Sequence, residues 1–458
     1  MLRKGLSRKF GVVAAAVAVA ALPSLTPGWT AGAAGSAATV SAAPGDDVHL
    51  NEIQTIGSHN SYHLIPSDAE VAIRKGVIVD ANNLMMYQHA PLPEQFASQK
   101  VRQIELDVFL DSAGGLYANP LLRSVAGVGA YDPRMNEPGM KVLHIQDVDY
   151  ASSCLTLVEC LTQVKGWSDT NPSHVPISIL LELKDTPLIL GDFDFVTPEK
   201  WTSAAMDDLD AVIRSVFGPS DMVTPDDVRG TRATLDEAVT TDGWPTLGDS
   251  RGKVMFLMDN GGGYRSDYLA GHPALQGRVV FTNSNPGQPD AGFVKRNDPF
   301  DPSIPGLVTA GYVVRTRADG DTVEARANDT SKRDAGLASG AQWVSTDYPV
   351  PGIAVGFTTS YVAEIPGGTV ARCNPVNGPA SCVSATLESV PVVPPTPTTS
   401  TTIEPGSTTV PGASSTTTPG SSTTTSPHTT PGYNPRPYPS YPVARPATSR
   451  RGPVAYAG

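Results

Sequence analysis

The chain has 458 residues, 33 of them basic and 45 acidic, for a net charge of −12. That length suits two or three ordinary domains, or one large barrel with appendages. The charge excludes nucleic acid as a natural partner and disfavours general adhesion to anionic lipid, so an anionic substrate would need a local positive site such as a bound metal ion.

Residues 1–43 read as a secretory signal peptide and a small-residue linker. Arg3, Lys4, Arg8 and Lys9 make a basic start, Phe10 to Leu22 an apolar run short for a bilayer span, and Ala31-Gly32-Ala33 a small-residue cleavage site. An uncleaved anchor is the alternative. Export gives the four cysteines meaning. Cys154 and Cys160 are six apart and Cys373 and Cys382 nine apart, and local pairing demands the least chain rearrangement. Two small disulfides are therefore expected in an oxidising compartment.

From 44 to 389 the composition is that of a globular domain. Apolar runs recur at IQTIG (53–57), VRQIELDVFL (101–110), KVLHI (141–145), VPISILLELK (175–184), KVMFLM (253–258), RVVFT (278–282), VTAGYVVRT (308–316) and AQWVSTD (341–347). Several are apolar on both faces, as covered parallel strands are. Helical segments intervene at 93–100, 155–167 and 202–218. Eight strands alternating with helices predict an α/β fold, a single (β/α)₈ TIM barrel, over a doubly wound sheet, because no glycine-rich nucleotide turn follows the first strand. Residues 390–458 are rich in Thr, Ser, Pro and Gly and are expected to be a disordered tail or a wall tether.

Polar groups interrupt the strands at one end. GSHNSYH follows the first strand and brings His59 and Asn60. In QIELDVF, side-chain alternation puts Glu105 and Asp107 on one face and Ile104, Leu106 and Val108 on the other. Two inward carboxylates repel unless a cation lies between them. The fourth run supplies Glu182 and Lys184 on a shared face, and the third supplies His144. Four successive strands thus carry polar groups near their C-terminal ends, where barrel enzymes hold their active sites. Asn60, Glu105, Asp107 and Glu182 are hard oxygen ligands suited to calcium or magnesium. The two histidines then serve proton transfer, or, in a rival zinc or manganese site, act as ligands themselves.

GSHNSY, IELDVF, VLHIQD and ILLELKD resemble the X-region motifs of phosphatidylinositol-specific phospholipase C, most closely the secreted, calcium-dependent bacterial type. GYVVRTRAD and GAQWVSTDYP resemble that barrel's closing strands, so the likeness spans about residues 50 to 385. It implies His59 and His144 as the paired catalytic histidines, with Glu105 the rival to His59 as general base. It implies one Ca²⁺ (Mg²⁺ as the alternative) held by Asn60, Glu105, Asp107 and Glu182. Lys184, Lys253, Arg317 and Asp347 are the expected substrate contacts, and His63 is left out of the site. The implied substrate is phosphatidylinositol, cleaved to diacylglycerol and a cyclic inositol phosphate by a secreted monomer with transient membrane-surface contact. Two rivals remain: a Mg²⁺-dependent glycerophosphodiester phosphodiesterase, whose usual His-Arg-Gly is here His59-Asn60-Ser61, and a non-catalytic wall-associated barrel. The sequence shows no clear basic or aromatic membrane-binding patch.

Overall fold

The computed structural model describes residues 44–388. The expected signal peptide (1–43) and tail (390–458) lie outside them. Strands, in chain order, are β1 Ile53–Ser58, β2 Gln103–Phe109, β3 Lys141–Val142, β4 Ile177–Lys184, β5 Val254–Met258, β6 Val280–Thr282, β7 Phe293–Lys295, β8 Val313–Arg317, β9 Trp343–Thr346 and β10 Ala371–Cys373. Eight of them form a parallel sheet in the order β6-β5-β4-β2-β1-β9-β8-β7. A parallel bridge between Asn283 and Phe293 brings the two edges together. This is the expected (β/α)₈ barrel, and its strands read as apolar runs because both faces are covered.

Three details differ from the sequence expectation. KVLHI is not a barrel strand: only Lys141 and Val142 pair, antiparallel to Phe109 and Val108 of β2. Beyond them Leu143 still bonds back to the carbonyl of Asp107, while the chain bends at His144. The missing barrel strand is β7, whose three residues sit in a Gly-, Pro- and Asp-rich stretch that hides them. The run expected from 308 to 316 begins as the helix Ile304–Thr309, and β8 starts only at Val313. Gly311 separates them with φ 102°, and a Cβ there would lie 2.2 Å from the Val239 carbonyl oxygen, so only glycine fits.

The helices Leu157–Thr170 and Ser203–Val216 lie where the sequence places them. Thr156 and Thr202 cap them, accepting from the Glu159 and Ala205 amides at 3.1 and 3.3 Å. Their apolar stripes, including Leu161, Val164, Met206 and Leu209, are buried in one core with Ile104, Leu106 and Leu181 of the strands. The disulfides Cys154–Cys160 and Cys373–Cys382 both form as expected. The second ties down β10, which pairs antiparallel with the first half of β1. No helix among the described residues is long and apolar enough to cross a membrane.

Candidate active site

The β2–β4 pairing builds the centre of the site. Their seven-residue parallel register puts Asp107 directly beside Glu182 and Phe109 beside Lys184. Glu105, two residues before Asp107, shares its face. The carboxylates of Glu105, Asp107 and Glu182 each offer an oxygen within 4.8 Å of the others. Asn60 reaches the same end of the barrel through a tight turn after β1, at φ 44°, a conformation asparagine tolerates better than most residues. The turn is pinned to β2: the Ser61 amide donates to the Glu105 carbonyl (3.0 Å), and the Glu105 amide donates to Ser61 Oγ (2.9 Å).

These residues fit a hard divalent cation. The side-chain amide of Asn60 donates to the Tyr87 hydroxyl at 3.0 Å, leaving Asn60 Oδ1 buried without a donor. Asp107 Oδ1 is likewise buried and unpartnered. Buried oxygens in that state are costly unless something positive meets them. Oxygens up to about 5 Å apart are what ligands at 2.3–2.6 Å from one ion present to each other. Burial pushes Glu105 up to about 7 against the pull of Arg315. It likewise pushes Asp107 well above the ordinary carboxylate range, against Lys184. A cation between these carboxylates would reverse both shifts.

Lys184, expected as a substrate contact, is committed to the acids: its Nζ lies 2.7 Å from Glu182 Oε1 and 3.2 Å from Asp107 Oδ2. Arg315, which the sequence reading overlooked, binds Glu105 Oε2 at 2.5 Å and Asn297 Oδ1 at 2.5 Å. In VVRTR, alternation alone would have placed Arg315 on one face with Arg317.

The two histidines stand on separate supports. His59 Nδ1 donates to Asp347 Oδ1 at 2.8 Å, and its Nε2 lies 3.8 Å from Glu105 Oε1. Arg317 lies against the ring, its Nη1 donating to His59 Nε2 at 3.2 Å, and its Nη2 sits 3.4 Å from Asp347 Oδ2. Burial, then the charges of Arg317 and Arg315, hold His59 well below the usual histidine range. A metal cation on this ring would face the same repulsion, which disfavours His59 as a zinc ligand. His144 lies in the loop after β3 instead of on a barrel strand, and its Nδ1 donates to Asp149 Oδ2 at 2.7 Å.

His63, set aside on sequence, is wholly buried and meets the same carboxylate, with Nε2 2.8 Å from Asp149 Oδ2 and Nδ1 2.9 Å from the Tyr87 carbonyl. Arg74 forms a third contact with Asp149 through Oδ1. Burial would raise the Asp149 pKa, but the charges of His63 and Arg74 and the histidine hydrogen bonds outweigh it and hold the group well below the ordinary range. Asp149 lay unnoticed because it sits in a loop, five residues past His144, where no periodicity marks it. Lys253 is the one expected site residue that lies elsewhere. It precedes β5, and its carbonyl accepts from the Ile177 amide at the start of β4 (3.2 Å). Five residues of β5 rise about 16 Å, so Lys253 stands at the opposite end of the barrel from the acids.

A calcium-dependent phosphoinositol-specific phospholipase C from Pseudomonas sp. superimposes with a TM-score of 0.44 and 18% identity, over 72% of this chain and 96% of that one. The Ca²⁺-dependent phosphatidylinositol-specific phospholipase C of Streptomyces antibioticus gives 0.42 and 18%, over 66% and 95%. No curated protein sequence matches. The model of the family described as phosphoinositide phospholipase C, Ca²⁺-dependent, matches residues 48–375, a span that holds all the acids and both histidines of the site. With its barrel, its carboxylate cluster and its histidine pair inside that match, the chain belongs to the Ca²⁺-dependent phosphoinositide phospholipase C family.

Proposed function

We propose that the protein is a secreted phospholipase C that cleaves the glycerol–phosphate bond of phosphatidylinositol, releasing diacylglycerol and a cyclic inositol phosphate. The observation that carries this reading is the cluster of three carboxylates, with the unpartnered Asn60 Oδ1 at the same end of the barrel and two histidines each held by its own aspartate. Asn60, Glu105, Asp107 and Glu182 would hold the Ca²⁺. When bound, the ion supplies charge neutralisation at phosphate and acidifies the inositol 2-hydroxyl.

The remaining work falls to the chain. The 2-hydroxyl oxygen forms a bond to phosphorus as the bond from phosphorus to the glycerol oxygen breaks. His59, neutral at ordinary pH and with Nδ1 committed to Asp347, offers Nε2 to accept the 2-hydroxyl proton once Arg317 Nη1 gives up its bond there for the substrate. Glu105 is the rival base, 3.8 Å away. His144 delivers a proton to the departing glycerol oxygen. Asp149 holds its Nδ1–H, which leaves Nε2 as the nitrogen that carries the transferable proton. Arg317, charged and lying against His59, is placed to contact a phosphate oxygen or an inositol hydroxyl. Two disulfides support export to an oxidising compartment. The protein is read as a monomer.

The test offers purified protein phosphatidylinositol, phosphatidylcholine and glycerophosphoinositol, with Ca²⁺, Mg²⁺ or chelator. Turnover of phosphatidylinositol that needs Ca²⁺ is expected. Activity that survives chelation, or that prefers the water-soluble diester with Mg²⁺, would refute the reading.

A further inference from the structure

The sequence lacks an evident membrane patch, yet three separate segments assemble an apolar groove of about 130 Å³ on the active-site end of the barrel. The helix Asp68–Val77 contributes Val77, the helix Leu121–Ala126 contributes Val125, and the loop after β4 contributes Leu190, Phe193 and Phe195. Several of these are unusually bare: Val77 is 50% exposed, Val125 59%, Phe193 50%, and Ile189 on the same loop 84%. Apolar side chains gathered at one place and left in water mark an interaction site more often than a packing fault.

The groove is tied to the catalytic machinery through one buried chain of contacts, Arg74 to Asp149 to His144. Arg74 and Val148 line it. Arg74 is buried and turns its guanidinium away, onto Asp149 and the Val148 carbonyl, so its stem faces the groove while its charge supports His144 through Asp149. Asp147, at φ 68°, fastens the walls together: its carboxylate accepts from the Leu121 amide at 2.8 Å and the Val196 amide at 2.6 Å. Gln146 adds a bond to the Thr186 carbonyl at 3.1 Å. The loop that carries the histidine assigned to the leaving group therefore also braces the groove walls.

We propose that this groove is a subsite for an acyl chain of the diacylglycerol leaving group. This rests on the reading of the protein as a phosphatidylinositol-cleaving enzyme with His144 on the leaving-group side. A hydrocarbon chain needs no hydrogen-bond partners, and the groove walls supply almost none. An extended peptide lying there would have backbone groups unsatisfied. Asp192 and Asp194 flank Phe193, both exposed, so charge does not draw an anionic surface to this rim, and apolar burial is left to do so. The groove selects for lipid over the water-soluble headgroup diester by binding what the headgroup diester lacks.

The test is a chain-length series of glycerophosphoinositol, dibutanoyl-phosphatidylinositol and dihexanoyl-phosphatidylinositol, each kept monomeric, with Ca²⁺ present. For the native chain kcat/KM should rise along the series, by about fourfold per methylene entering the groove, until it is full. Val125→Asp and Phe193→Asp, both at exposed positions, should flatten the rise, costing at least ~10-fold on the dihexanoyl substrate. The tailless substrate should stay within about twofold of the native rate, which also shows that the variants fold. A flat series in the native protein, an unchanged rise in the variants, or equal loss on all three substrates would overturn the proposal while leaving the enzyme's function standing. No turnover of any member would overturn both. A native dimer that the variants dissociate with the chain-length rise intact would make the groove a self-association face, and the proposal would fall.

Discussion

At the scale of single residues, the site trades stability for chemistry. Asp107 is fully buried, with Oδ1 unpartnered and two further acids at hand. Asp107→Asn keeps the shape and removes one of the crowded charges while Lys184 keeps its closer partner Glu182, so the metal-free protein should gain about 1 kcal/mol. Chemical denaturation in chelator would read this gain. The same variant should lose Ca²⁺-dependent turnover, because a ligand charge is gone, and a variant that is both less stable without metal and fully active would contradict the assignment. His59→Ala and Glu105→Gln should each lower turnover by at least ~100-fold, the usual scale for losing an acid–base group. Near-native rates in both, measured on phosphatidylinositol, would remove the assigned site.

At the scale of elements, the β2–β4 register matters most, since it sets Asp107 beside Glu182 and carries Lys184 between them. Alternation within ELD and ELK made the shared faces legible, because period two is a local property of extended chain. Their alignment across strands was not legible, since any even slip would keep the faces and separate the acids. Short elements failed for a related reason. Phe293–Lys295 carries too few residues for a pattern, and its existence depends on neighbours Val313 and Val314 that pair with it. KVLHI has the composition of a strand but meets β2 only as a two-residue antiparallel arm after a long connection. The break before β8 is a prediction at this scale. Gly311→Ala would force a left-handed backbone and a clash with the Val239 carbonyl, at a cost of about 2–3 kcal/mol. Urea unfolding checks it; a loss below about 0.5 kcal/mol would show that the turn can shift.

At the scale of the whole molecule, the acidic cluster makes folding answer to metal and to pH. Ca²⁺ that binds only the folded chain should stabilise it by about 2.7 kcal/mol at 100 times its dissociation constant. A melting temperature that ignores chelator would argue against the metal site. Burial raises Glu105 to about 7 from an ordinary value of 4.5, so the folded protein keeps a proton that the unfolded chain has lost. That contribution is therefore fully present below about pH 4.5 and is lost as pH rises through 7. In chelator the protein should be less stable at pH 8 than at pH 5.5 on this account, and saturating Ca²⁺ should close the gap. Denaturation at the two pH values, with and without metal, measures it.

The sequence by itself determined the barrel, the two local disulfides, and the residue types of the site. Buried parallel strands, short cysteine spacings and paired acids on one strand face are all written in local pattern. Which groups meet is set by the packed fold. It joined Asp149 to His144, Arg315 to Glu105 and His63 to the same carboxylate as His144, and it sent Lys253 to the far end of the barrel. It also gathered Val77, Val125 and Phe193 from three distant segments into one apolar groove. Such meetings depend on strand register and loop path, which the whole packed chain fixes and no short window contains.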